Sequence, residues 1–101
     1  MIYIDPPLDY HGKFKGCSHM VSDLHGEAGT QELLEFAKRI GMKAAWIQYA
    51  GTWKEHFDVF GGRRSKAVKA GAKEIGRREM VNILRAKRGL APIPTIQCAD
   101  G

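Results

Sequence analysis

The sequence predicts an α/β fold: a small single-layer sheet of about four strands with helices packed against it. Three observations carry that expectation. Short apolar runs of strand length alternate with longer runs of helical period. Glycine or proline stands at nearly every boundary between them, at Pro6-Pro7, Gly41, Gly61-Gly62, Gly71, Gly76 and Gly89. With 101 residues, 44% of them hydrophobic and 27% charged, the chain supports one core and not two. A single compact domain is expected over 1–89, followed by an extended tail over 90–101.

Residues 1–5 read as a strand stopped by Pro6-Pro7, because proline lacks the amide hydrogen a ladder needs. The following loop holds Asp9, Gly12 and Gly16. Residues 18–24 read as one or two helical turns, with Ser18 as N-cap and Met20, Val21 and Leu24 facing inward. Residues 25–29 read as a turn. Thr30 then caps the best helix, in which Leu33, Phe36, Ala37 and Ile40 fall at i, i+3, i+4 and i+7 and Gly41 suits C′. Residues 44–49 read as a buried strand with Trp46 in the core. The loop after it carries Trp53 as the better candidate for an exposed ring. Residues 56–60 form a short strand with His56, Asp58 and Phe60 on one face and Phe57 and Val59 on the other.

Residues 63–70 read as a helix ended by Gly71, 72–75 as a short strand, and 77–88 as a helix burying Met80, Val81 and Leu84. Pro92 and Pro94 mark the tail as extended. Strand order is not legible, but two helical crossovers imply some parallel pairing. The apolar stretch 90–96 and the modest core make a homodimer an expectation.

The formal charge is +5, and it is unevenly spread. Residues 1–60 carry six Lys/Arg against eight Asp/Glu. Residues 61–88 carry ten against two, Glu74 and Glu79. A contiguous basic block attracts polyanions, and it also serves as an ordinary solvated helix surface. No apolar run approaches the roughly 18–20 residues of a membrane span, so no membrane partner is expected. The N-terminus lacks the basic-then-apolar order of a signal peptide. Cys17 and Cys98 are too few for a disulfide framework. A cytoplasmic location follows as the expectation.

All four histidines precede Phe57. His19 and Asp23 are four apart and share a face if their segment is helical. His56 and Asp58 share a face if theirs is a strand. Asp5 ends the first strand, and ligand crevices in open α/β sheets form at the carboxyl ends of strands. Asp5, His19, Asp23, His56 and Asp58 are therefore expected to meet in one catalytic pocket, with His11 and His25 as possible loop members. His19, Asp23, His56 and Asp58 are the candidate metal ligands, since mixed imidazole and carboxylate donors suit zinc, manganese or iron. A metal-free alternative stands beside this, in which a carboxylate orients a proton-transferring histidine. So does a structural one, in which Asp5 and Asp23 cap turns and His56 is a satisfied core histidine. A Cys17–His19 nucleophilic pair is a weaker reading than a buried thiol.

Phe60-Gly61-Gly62-Arg63-Arg64-Ser65 passes from strand to helix through two glycines. Glycines allow close backbone approach, a helix start offers free amides, and paired arginines offer bidentate donors. Gly61, Gly62, Arg63, Arg64 and Ser65 are the candidate phosphate-binding residues. The phosphate-loop and dinucleotide fingerprints are both absent, so an ordinary turn explains the segment equally. Arginine at a helix start opposes the macrodipole, which favours an anionic partner there.

Asp5 after the first strand, Cys17-Ser18-His19 with Asp23, Glu55-His56-Phe57-Asp58, Arg64 with Ala67, and residues 69–75 before Arg78-Glu79 together resemble the domain-of-unknown-function family 4031. The likeness runs to about Arg88. It implies that the polar set is the family's recognisable signature and that the source is a bacterium or phage. It implies no activity.

The expected function is a hydrolase-like enzyme acting on a phosphate-containing ligand, a small molecule such as a nucleotide or a nucleic acid. The sequence leaves the cofactor open, with a divalent metal ion as the candidate that would make the enzyme a metal-dependent phosphohydrolase or nuclease. A non-catalytic protein that sequesters a nucleotide and a nucleic-acid-binding accessory module are the alternatives.

Overall fold

The computed structural model describes residues 1–7 and 16–93. Its elements are β1 (Ile2–Ile4), β2 (Ser18–Ser22), α1 (Gly26–Arg39), a 3-10 turn (Ala44–Trp46), β3 (Phe57–Val59), α2 (Gly62–Lys69), β4 (Lys73–Glu74) and α3 (Arg77–Lys87). The four strands form one sheet in the order β3-β2-β1-β4. β2 runs antiparallel to both neighbours, and β4 is parallel to β1. The expected α/β layer of about four strands is present. The β3-α2-β4 connection carries the chain from one edge of the sheet to the other.

Side-chain alternation divides the sheet between two cores. On one face, Ile2, Ile4, Met20, Phe57 and Val59 pack with Leu33, Phe36, Ala37 and Ile40 of α1 and Ala67 of α2. On the other, Val21 and Tyr3 pack with Ile75 and with Met80, Ile83 and Leu84 of α3. This second cluster is small. α3 meets the sheet at Val21 and leaves the His19 end of β2 half-exposed. A polar site can therefore open there.

Several expected boundaries are corrected. Residues 18–22 are strand, not helix: Met20 and Val21 point to opposite faces and are both buried, as a central strand requires. The apolar spacing suits either state over so short a run. The expected strand at 44–49 is instead a 3-10 turn over Ala44–Trp46 with no buried residue, followed by a Gln48–His56 bridge to the sheet's edge. Trp46 is 42% exposed rather than core. Helix α1 starts at Gly26 with His25 as N-cap, four residues before Thr30. The Thr30 hydroxyl instead donates to Glu55 Oε1 at 2.5 Å. Val81 is 41% exposed, so α3 buries Met80 but not its neighbour.

Gly29 explains the misplaced helix start. It lies inside α1, where a Cβ would stand 2.1 Å from the Leu24 carbonyl oxygen. The glycine marks a close backbone approach rather than a turn. Gly29→Ala is expected to destabilise the fold by about 3 kcal/mol, the upper range of overpacking costs, measured by urea unfolding.

Candidate functional site

The site grows from the antiparallel register of β1, β2 and β3. Ile4 pairs with Met20, so Asp5 arrives beside His19, and its amide donates to the His19 carbonyl at 3.2 Å. His19 in turn pairs with Asp58. Asp5, His19 and Asp58 project to the face that α3 covers only partly, since their neighbours Ile4, Met20 and Phe57 fill the opposite core. His56 sits one residue before β3 and is held by the bridge to Gln48.

Asp5 is buried, at 4% exposure, and its carboxylate is fully engaged. Oδ1 accepts the His19 amide at 2.7 Å, and Oδ2 lies 2.9 Å from His19 Nδ1. His56 Nδ1 lies 2.6 Å from the Lys54 carbonyl, to which only a protonated nitrogen can donate. Both rings thus have Nδ1 occupied, which leaves Nε2 as the outward nitrogen of each. The rings meet edge to face at 5.2 Å between centroids. His56 Nε2 lies 3.4 Å from Asp58 Oδ1, and Gln48 donates its amide to Asp58 Oδ2. One ligand atom from each of His19, His56 and Asp58 lies within 4.8 Å of the other two.

The hydrogen bond to Asp5 is the main cause of a raised His19 pKa. Burial works against it, and the Asp5 and Asp58 charges add to it. Burial, then the Asp58 and Asp5 charges, pushes the Cys17 thiol up to about 11. Cys17 is therefore a protonated, buried thiol rather than a nucleophile.

Asp23 does not join the group. It lies beyond the far end of β2, about 13 Å along the strand from His19 at strand rise. There its carboxylate meets the Met1 ammonium at 3.1 Å. The strand conformation of 18–22 removes the helical face that would have brought it to His19. His25 lies in a separate cavity with Thr30, Glu55 and Lys87. His11 lies outside the described residues.

The expected phosphate-binding residues divide. Gly61 has φ +61, a value glycine adopts without strain, and turns the chain into α2. Gly62 is the first residue of α2, and Ser65 is exposed on it. Arg64 points inward. Its Nε donates to Ser18 Oγ at 2.8 Å and its Nη2 to the Asp5 carbonyl at 3.2 Å, and it pairs with Glu74 at 3.2 Å. Arg64 thus fastens α2 to β1, β2 and β4 and is spent on structure. Arg63 points to the outer side and lies over the Trp46 ring at 5.1 Å from its centroid. Trp53 is half-buried between Lys54 and Arg88, with cation-to-centroid distances of 5.3 and 4.5 Å.

The sequence reading missed the supports of the site. Gln48 and the Lys54 carbonyl fix Asp58 and His56, and Tyr49, with φ +54, lies 6.0 Å from the His56 ring. Backbone carbonyls leave no trace in a residue string.

The family model described as a protein of unknown function, DUF4031, matches residues 2–87. The chain belongs to this family. No curated protein and no solved structure matches it. The DUF4031 match takes in all of the residues gathered at the site, from Asp5 to Arg64. No helix among the described residues of this DUF4031 chain is long and apolar enough to cross a membrane.

Asp5→Asn is expected to bring the His19 pKa down toward the ordinary value of about 6.5, followed by NMR titration of the ring. The sign for stability follows from the raised value. Protonated His19 stabilises the native chain below the unfolded-state pKa, and that increment fades as pH rises through the higher native value. The stability gap between wild type and Asp5→Asn therefore narrows as pH rises from the unfolded-state His19 pKa through the raised native one.

Proposed function

We propose that this DUF4031 protein is a divalent-metal-dependent hydrolase of a phosphate-containing ligand. One observation carries the reading: His19, His56 and Asp58 bring donor atoms within 4.8 Å of one another while both Nδ1 atoms are already committed. A metal-binding histidine needs a free ring nitrogen and a partner that fixes its tautomer through the other. Asp5 and the Lys54 carbonyl are such partners. Two imidazoles and one carboxylate suit zinc, manganese or iron, with ligand distances of about 2.0–2.2 Å for zinc. Three protein ligands leave positions for water and substrate, as catalytic rather than structural sites do.

A bound ion would polarise a phosphoryl oxygen and bring the pKa of a water molecule down toward about 7. The chain supplies the rest. Asp5 holds the His19 ring, Gln48 holds Asp58, and Arg64 locks the sheet ends beneath them. Arg63 stands outside, where a phosphate's charge is met by its guanidinium. In the hydrolysis, the water oxygen bonds to phosphorus and the bond from phosphorus to the leaving oxygen breaks. The proton released by the water passes through solvent to the leaving oxygen, since the site is open.

Zinc or manganese titrated into metal-stripped protein is expected to bind at one equivalent per chain. His19→Ala, His56→Ala and Asp58→Ala are expected to abolish that binding while circular dichroism stays native. Asp5→Asn is expected to weaken it by roughly 10–100-fold, the usual effect of removing a ligand's own partner. Metal-supported release of phosphate from a phosphate-ester panel should fall in parallel. Absent metal uptake, or uptake indifferent to all three ligand variants, overturns the proposal.

A further inference from the structure

Beside Asp58 the surface opens into a groove of about 360 Å³ lined by Met42, Trp46, Gln48, Asp58, Phe60 and Arg63. Its walls are more exposed than aromatic side chains ordinarily are. Phe60 is 51% exposed and Trp46 42%. Phe60 stands one residue past the end of β3 and lines the same groove as Asp58. No ring or cation contact occupies Phe60 among the described residues, and it contributes to neither core. Phe60 and Trp46 together make a contiguous exposed aromatic surface in one groove beside Asp58, which a lone exposed ring would not.

The charge of the groove is arranged to match. Arg63 and Lys43 both lie over Trp46, at 5.1 and 5.8 Å from the ring centroid. Stacking on the indole holds the Arg63 guanidinium in the groove lining, with Lys43 against the same ring. Asp58, a proposed metal ligand, lines the groove too. Gln48 spends its amide nitrogen on Asp58, which leaves its carbonyl oxygen as an acceptor in the groove. An apolar aromatic wall, a cationic rim and a metal-binding carboxylate thus share one small cavity.

We infer that this groove seats a free nucleotide. Its base lies against Phe60 and the adjoining Trp46 edge, and its phosphate lies between Arg63 and the His19–His56–Asp58 centre. The inference rests on the proposed hydrolase reading and names its substrate class. A volume of about 360 Å³ is at the lower end of small-molecule sites, which fits one nucleotide better than a run of them. Trp53, between Lys54 and Arg88, is not part of it.

The test uses the zinc-loaded full chain and isothermal titration with AMP, ribose 5-phosphate, inorganic phosphate and a single-stranded ten-nucleotide oligomer. AMP is expected to bind at least about 10-fold more tightly than ribose 5-phosphate, the scale of one base stacked on an aromatic ring. Phe60→Ala, an exposed position whose loss leaves both cores intact, is expected to reduce that ratio to near one. Arg63→Ala should weaken AMP and ribose 5-phosphate alike and leave the ratio standing. Equal affinities for AMP and ribose 5-phosphate overturn the inference, as does a ratio that survives Phe60→Ala. An oligomer that binds far more tightly than AMP also overturns it and assigns the groove to a strand. The two readings fail separately: metal uptake reports on the centre, and the AMP to ribose 5-phosphate ratio reports on the groove.

Discussion

The buried carboxylate of Asp5 is the constraint on which the rest depends. It takes up the His19 amide with one oxygen and the His19 ring with the other. The first bond helps hold the end of β1 to the start of β2, and the second fixes how the ring faces. A buried carboxylate is costly unless it is hydrogen-bonded, and here each oxygen has a partner. Fold and site are therefore coupled at one residue. Loss of Asp5 would leave His19 free to rotate and would leave its amide without that acceptor.

Around that bond the sheet does two jobs with two faces. The α1 and α2 face carries most of the core, so stability does not require the other face to be closed. The α3 face has a small cluster around Val21, Ile75 and Met80 and ends short of His19. Polar groups can then sit on strands, which are stiffer supports than loops, and still reach solvent. Arg64 reinforces the arrangement from beneath. Its bonds to Ser18, the Asp5 carbonyl and Glu74 tie three strands to one helix at the edge where the site opens.

What the sequence revealed follows the range of the interactions. The alternation of Phe57 and Val59 into the core with Asp58 on the other face was legible because strand alternation is local, although the strand is 57–59 and leaves His56 and Phe60 outside it. Gly41, Gly71 and the α3 segment were legible because punctuation is local too. The Asp5–His19 bond depends on register between strands 14 residues apart, which no local pattern carries. Asp23 was misread because a five-residue strand and a helical turn share the same apolar spacing when the strand is buried on both faces. Gly29 was misread because a glycine needed for close approach looks like a glycine needed for a turn. Arg63 and Arg64 were indistinguishable as neighbours. The helix sends one inward and the other outward, and so gives them different work.

The most direct measurement is X-ray absorption at the zinc edge on protein loaded with one equivalent of zinc. The account predicts a first shell containing two imidazoles and a carboxylate oxygen, and no zinc retained with imidazole ligands in His56→Ala. A shell of oxygen alone, or one with the same imidazole scattering in wild type and His56→Ala, would contradict it.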